Sequence, residues 1–105
     1  LSVSFARGAP FLGAPNEAKL APAVEALTAE SRLAVQLRGH ADATGDTEYN
    51  AILARARCEV VRDFLVTKGI DAKRLEVISF GDTQAASSGK TPEELRRVDV
   101  IFQAE

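Results

Sequence analysis

The chain has 105 residues, 46% of them hydrophobic and 27% charged, an ordinary globular composition that excludes wholesale disorder and leaves room for one domain. Thirteen Lys and Arg against fifteen Asp and Glu give a formal charge of −2, which argues against a nucleic-acid or anionic-membrane binder, since either needs a net positive face. The single cysteine excludes an intramolecular disulfide and a cysteine-based metal site.

Ser2 to Phe5 alternates polar and apolar residues and predicts a short first strand. Ala6 to Pro15, with two Gly and two Pro, predicts a loop. Asn16 to Glu30 has Leu20, Ala23, Val24 and Leu27 at helical spacing. Pro22 either opens that helix or disturbs one begun near Asn16, and a start near Asn16 with a disturbed first turn is expected. Leu33 to Arg38 alternates as a half-buried strand, and Gly39 to Gly45 follows as a polar loop. Asp46 or Thr47 caps a long helix to about Lys68, whose expected buried stripe is Tyr49, Ile52, Leu53, Ala56, Val60, Phe64 and Leu65. Gly69 ends it, with Ile70 placed to pack back on the last turn.

Asp71 to Arg74 reads as a capped turn, Leu75 to Phe80 as a third strand, and Gly81 to Gly89 as a loop. Thr91-Pro92-Glu93-Glu94 opens a short helix with a Thr cap, Pro at the first helical position and a Glu reaching back. Val98, Val100 and Phe102 lie in phase on a last strand. The order β-α-β-α-β-(α)-β implies an α+β fold: a small mixed sheet of about four strands, with two main helices and a short one packed on one face. A single domain spanning 1–105 is expected.

The chemistry concentrates between Leu37 and Leu65. A strand delivers Gly39-His40-Ala41-Asp42 into a loop, Gly45 turns the chain, and a helix follows. Asn50 and Arg57 are two helical turns apart and share a face. Arg57 adjoins the buried stripe, where an unpaired guanidinium is costly, so a nearby carboxylate is expected for it. Asp42 can reach it only if the strand end and the helix lie side by side. From spacing alone, Asp42 and Arg57 read equally as a structural ion pair or as part of a binding site.

The pattern G-H-A-D-x-x-G-x-x-x-Y-N-x-x-L-x-x-x-R, followed by V-x-x-x-L-x-x-x-G-I, resembles the OmpA-like peptidoglycan-binding domain, the family of OmpA C-terminal domains, Pal lipoproteins and MotB. The resemblance continues through Ile78-Ser79-Phe80-Gly81 and Arg96-Arg97-Val98, covering about Leu33 to Phe102. It implies a binding module and not an enzyme, with no cofactor and no metal. By the same resemblance, Asp42 and Arg57 grip the diaminopimelate of the peptidoglycan stem peptide, and Asn50 adds a polar contact. Diaminopimelate bears an ammonium and a carboxylate on one carbon; a fixed carboxylate suits the first, and a planar guanidinium holds the second through two parallel hydrogen bonds. Amides after the second strand, at Ala41 and beyond, supply further donors. Arg97 is a further candidate for lining the site, with pairing to Asp99 as the plain alternative.

The implied function is non-covalent anchorage of the outer membrane or of a membrane protein to the cell wall, in the periplasm. The peptidoglycan stem peptide is the expected partner, and periplasmic proteins are possible additional ones. No nucleic acid is expected, and membrane contact only through segments outside this chain: no apolar run reaches the roughly 18 residues of a spanning helix. The chain opens at Leu1 without Met and reads as a domain excised from a longer, membrane-associated protein. Departures from the family pattern at Ala6, Ala41, Ala54 and Leu95 motivate an alternative, an OmpA-like protein-interaction or structural module that has lost peptidoglycan binding.

Other reactive residue types carry less. His40 with Asp42 makes only two candidate ligands, too few for a zinc site. Ser79, Ser87 and Ser88 have no evident base, which disfavours a hydrolase. Cys58 reads as a small packed helix residue, not a nucleophile, and Arg7 is an unmatched charge.

Overall fold

A computed structural model describes residues 1–85 and 89–104. The elements are β1 (Ser2–Ser4), α1 (Gly13–Ala29), β2 (Leu33–His40), α2 (Thr47–Thr67), a 3-10 turn (Ala72–Arg74), β3 (Leu75–Gly81), α3 (Pro92–Leu95) and β4 (Arg97–Ala104). The four strands form one mixed sheet in the order β1-β4-β2-β3. β2 and β3 are parallel, joined through α2, while β4 runs antiparallel to both β2 and β1. The expected α+β architecture is present.

Alternation assigns the two sheet faces. Val3, Val35, Leu37, Leu75, Val98 and Val100 are buried and join Leu20, Leu27, Cys58, Val61 and Leu65 of the helices in one core. Each such aliphatic side chain contributes roughly 1.5–3 kcal/mol on burial. Residues of opposite parity, among them Ser2, Gln36, Arg38, Arg97 and Asp99, form the other face.

The end of α2 matches expectation in detail. Ile70 N–H donates to Leu65 O at 3.1 Å and Gly69 N–H to Val66 O at 2.9 Å, a Schellman motif, and Ile70 is buried against the last turn. The capped turn at Asp71 and the capping box at Thr91 and Glu94 are also formed.

Several boundaries and one helix face differ. α1 starts at Gly13, three residues early, and Pro22 lies within it. The carbonyl of Ala18, which Pro22 leaves without an N–H, is on an exposed residue, where solvation offsets the lost bond and the helix continues. β2 runs two residues further, to His40, because Gly39 and His40 pair with both β3 and β4. β3 correspondingly ends at Gly81.

The buried stripe of α2 is Asn50, Leu53, Ala54, Arg57, Cys58, Val61 and Leu65; Tyr49 and Ile52 are exposed, and Ala56, Val60 and Phe64 only half-buried. The helix is rotated from the expected face because its small residues Ala54 and Cys58 make the closest approach to the sheet. Ala54 and Cys58 lie directly over Gly39: a Cβ built there falls 2.5 Å from the Ala54 carbonyl oxygen and 2.7 Å from Cys58 Sγ. This close approach sets the helix beside the end of β2.

Candidate functional site

The pairing register brings four chain segments to one end of the sheet. β2 and β3 end there at His40 and Gly81, and β4 begins there at Arg97, opposite both His40 and Ser4. The start of α2 returns to the same end. Between them lies a cleft of about 200 Å³, lined by Arg7, Gly8, Ala41, Asp42, Thr44, Gly45, Tyr49, Asn50, Leu53, Arg57 and Arg96. Of the expected site residues, Ala41, Asp42, Asn50 and Arg57 are brought together. Arg97 is not: it directs Nε to Asp99 Oδ1 at 2.9 Å, on the far face of the sheet.

Asp42 is 7% exposed. Its partner is Arg96, whose Nη1 donates to Oδ2 at 2.9 Å, and not Arg57 as spacing had suggested. The Thr44 hydroxyl and N–H donate to Oδ1. Burial works against the carboxylate's charge, but the hydrogen bonds from Thr44 and Arg96 and the charge of Arg96 outweigh it and hold Asp42 below the usual range.

Arg57 is 1% exposed. Its Nε donates to Ala9 O at 3.1 Å and Nη2 to Ala6 O at 3.0 Å, and the guanidinium lies 5.4 Å from the Phe5 ring centroid. Nη1 is buried with no partner among the described residues. Burial, and then the charge of Arg96, lower the Arg57 pKa, with Asp42 opposing; a guanidinium keeps its proton regardless.

Asn50 spans the loop: Nδ2 lies 3.2 Å from Asp42 O, 2.9 Å from Thr44 O and 3.1 Å from Asp82 Oδ2. Asn50 thus ties the Asp42 loop to the end of β3 while also lining the cleft.

Reading the sequence missed Arg96, Arg7, Thr44 and Asp82. A signal existed for Arg96: it shares parity with the buried Val98 and Val100, whereas Arg97 shares parity with Asp99, so alternation alone favours Arg96 on the helix side. Arg7 carried no such signal, since only the folded loop brings it to the cleft.

The remaining candidates are structural. Ser79 donates its hydroxyl to Ala51 O at 2.8 Å, and Ser87 and Ser88 lie outside the described residues. Cys58 is buried, its thiol pushed up to about 12 by desolvation, which leaves it unreactive. His40 is buried, stacked on Phe80 at 5.2 Å between ring centroids, with Nε2 3.5 Å from Asp99 Oδ2. Burial disfavours the Asp99 charge, yet hydrogen bonds from His40, Ser2 and Arg97 hold its pKa well below the ordinary value. A depressed carboxylate contributes stability above its unfolded pKa of about 4 and loses it as pH falls through the folded value. Stability is therefore expected to decline on acidification below about pH 4, and Asp99→Asn to flatten that decline. Superimposable acid-unfolding profiles for the two proteins would remove Asp99 from this account.

A mixed sheet with its helices on one face and a charged cleft at one end defines an α+β domain of the OmpA-like type. The chain matches the OmpA family over residues 4–98 and belongs to it. It is a structural domain, not an enzyme.

Among curated relatives, the peptidoglycan-associated lipoprotein of Mesorhizobium japonicum is 40% identical over 68 residues, covering 65% of this chain and 40% of that protein. The peptidoglycan-associated lipoprotein of Agrobacterium fabrum is 44% identical over 48 residues, 46% of this chain and 27% of that protein. The chain thus spans well under half of these relatives. Among solved structures, the peptidoglycan-associated lipoprotein from Burkholderia pseudomallei superposes with a TM-score of 0.90 at 26% identity, over 97% of this chain and 89% of that one. The C-terminal domain of Helicobacter pylori MotB shares the fold, with a TM-score of 0.84 at 18% identity, covering 99% and 84%.

Proposed function

We propose that the cleft binds peptidoglycan non-covalently through the diaminopimelate of its stem peptide. In this reading the chain serves in the periplasm as the wall-binding part of an anchor for the outer membrane or for a membrane protein. The observation that carries it is the buried Arg57 guanidinium with one nitrogen unpartnered, on the same cleft as the Asp42 carboxylate. A desolvated donor without an acceptor is costly, and a ligand carboxylate supplies what it lacks. The amino group on the same ligand carbon then meets Asp42, and Ala41 and Asn50 complete the wall around it. Membership of the OmpA family and the likeness to peptidoglycan-associated lipoproteins support the same class of ligand.

Because Arg96 already compensates Asp42, an incoming ammonium joins a neutralised carboxylate and gains little, so single-site affinity is modest. Attachment to a membrane through a segment outside this chain would convert modest affinity into firm anchorage by raising the effective concentration. An amide-shift NMR titration tests the reading, with a diaminopimelate stem tripeptide compared with its lysine counterpart, which lacks the carboxylate on the amino-bearing carbon. Saturable shifts at Ala41, Asp42, Asn50 and Arg57 are expected with the first and about ten-fold weaker binding with the second. Absence of shifts at millimolar tripeptide would overturn it. That result would favour the alternative, an interaction or structural module, for which the closed Asp42–Arg96 pair is the supporting observation.

A further inference from the structure

Three of the side chains lining the cleft are guanidinium groups, Arg7, Arg57 and Arg96, against one carboxylate, Asp42. Arg96 is committed to Asp42 and to the Phe5 carbonyl. Arg57 keeps one nitrogen unpartnered. Arg7 makes no side-chain hydrogen bond or ion pair among the described residues. Two cationic groups therefore face the same small cleft without an anion, and one ligand carboxylate answers only one of them.

Arg7 is not held there by chance of a wandering loop. Ala9 N–H donates to Ala6 O at 3.2 Å, closing a turn in which Gly8 has φ +70°, the conformation a type II turn requires at its third position. Arg57 donates to the carbonyls at both ends of that turn. The residue at the turn's second position is Arg7, so the buried arginine fixes the backbone from which the rim arginine projects.

We infer that Arg7 is a specificity-determining residue that receives a second carboxylate, so that the cleft selects ligands carrying two carboxylates over those carrying one. This rests on the diaminopimelate reading, in which Arg57 takes the carboxylate beside the ammonium. The stem peptide offers two sources for the second: the α-carboxylate of its γ-linked glutamate, and the carboxylate at the other end of diaminopimelate when the peptide stops there. The shared chemistry is a free carboxylate at the cleft rim.

The test is calorimetric titration of this chain and of its Arg7→Gln variant with three peptides: the free tripeptide, its glutamate α-amide and its terminal amide. Arg7 is exposed, so Arg7→Gln leaves the core untouched. In the unmodified chain, one of the two amidations is expected to weaken binding about five-fold, as for a solvent-screened ion pair, and the position that matters identifies the source. In Arg7→Gln the free tripeptide binds about five-fold more weakly and that amidation has no further effect. Equal binding of all three peptides by the unmodified chain would overturn the inference while leaving the diaminopimelate reading intact. So would an unchanged amidation penalty in Arg7→Gln. Failure of every peptide to bind the unmodified chain would overturn the diaminopimelate reading, and this inference with it.

Discussion

Arg57→Ala is expected to abolish binding of a diaminopimelate stem peptide and to lower the stability of the domain by about 2 kcal/mol without unfolding it. The two effects have separate causes. Binding is lost because the substitution removes the cleft-lining guanidinium whose Nη1 is buried without a partner among the described residues. Stability falls because the Ala6 and Ala9 carbonyls lose their guanidinium donors and Phe5 loses the group lying over its ring. The loss stays moderate because the charge is removed along with its desolvation cost, and because the Ala6–Ala9 turn retains its own backbone hydrogen bond. Urea unfolding followed by NMR titration separates the effects. A folded variant that still binds the tripeptide with unmodified affinity would sink the role assigned to Arg57. Arg57→Lys is informative beside it: a compact ammonium keeps the charge but cannot serve two carbonyls and a ligand with one planar fork, so most of the binding loss is expected to persist.

Gly39→Ala is expected to produce the largest loss of stability of any single methyl added to this chain, more than about 3 kcal/mol. The new carbon would lie 2.5 Å from the backbone carbonyl oxygen of Ala54 and 2.7 Å from Cys58 Sγ. The sulfur belongs to a side chain and can be removed, but the oxygen belongs to the backbone of α2, so relief requires the whole helix to lift from β2. Cys58→Ala is therefore expected to recover only a small part of the loss. Lifting α2 would also carry Asn50 and Arg57 away from Asp42, so binding should weaken together with stability. Chemical denaturation of the single and double variants checks this, and near-normal stability of Gly39→Ala would mean that the helix does not sit this close to the strand.

The contrast between these two positions marks what could be read from the chain. Arg57 was legible as important, though for an incomplete reason, and the need for Gly39 was not legible. By sequence Gly39 reads as the first residue of a loop, because nothing local distinguishes a glycine needed for a turn from one needed under a helix. Arg57 was correctly expected to need compensation, from the cost of burying a guanidinium, yet its partners are two backbone carbonyls some fifty residues earlier and not a carboxylate. Asp42 found its cation in Arg96, more than fifty residues later, by a pairing that depends on β4 entering the sheet between β1 and β2. The rotation of α2 belongs to the same class. Its apolar residues run around much of the helix, so periodicity named a stripe, and packing of the small residues Ala54 and Cys58 against the sheet chose another.

What the sequence determined by itself was everything that short-range physics decides. Strand and helix positions follow from periodicities of two and 3.6, and the end of α2 from a glycine followed by an isoleucine. The cap of α3 follows from Thr91, Pro92 and Glu94, while the family was legible as a resemblance carried by the whole motif from Gly39 to Arg57 and not by any one spacing. What only the tertiary structure decided was which distant groups meet. The pairing of Asp42 with Arg96, Arg7 at the rim, and Asp82 bonded to Asn50 all follow from the order β1-β4-β2-β3, which gathers four strand ends at one edge of the molecule. A hydrogen bond across fifty residues leaves no periodic trace in the chain, because its partners are selected by strand pairing and helix packing and not by their separation.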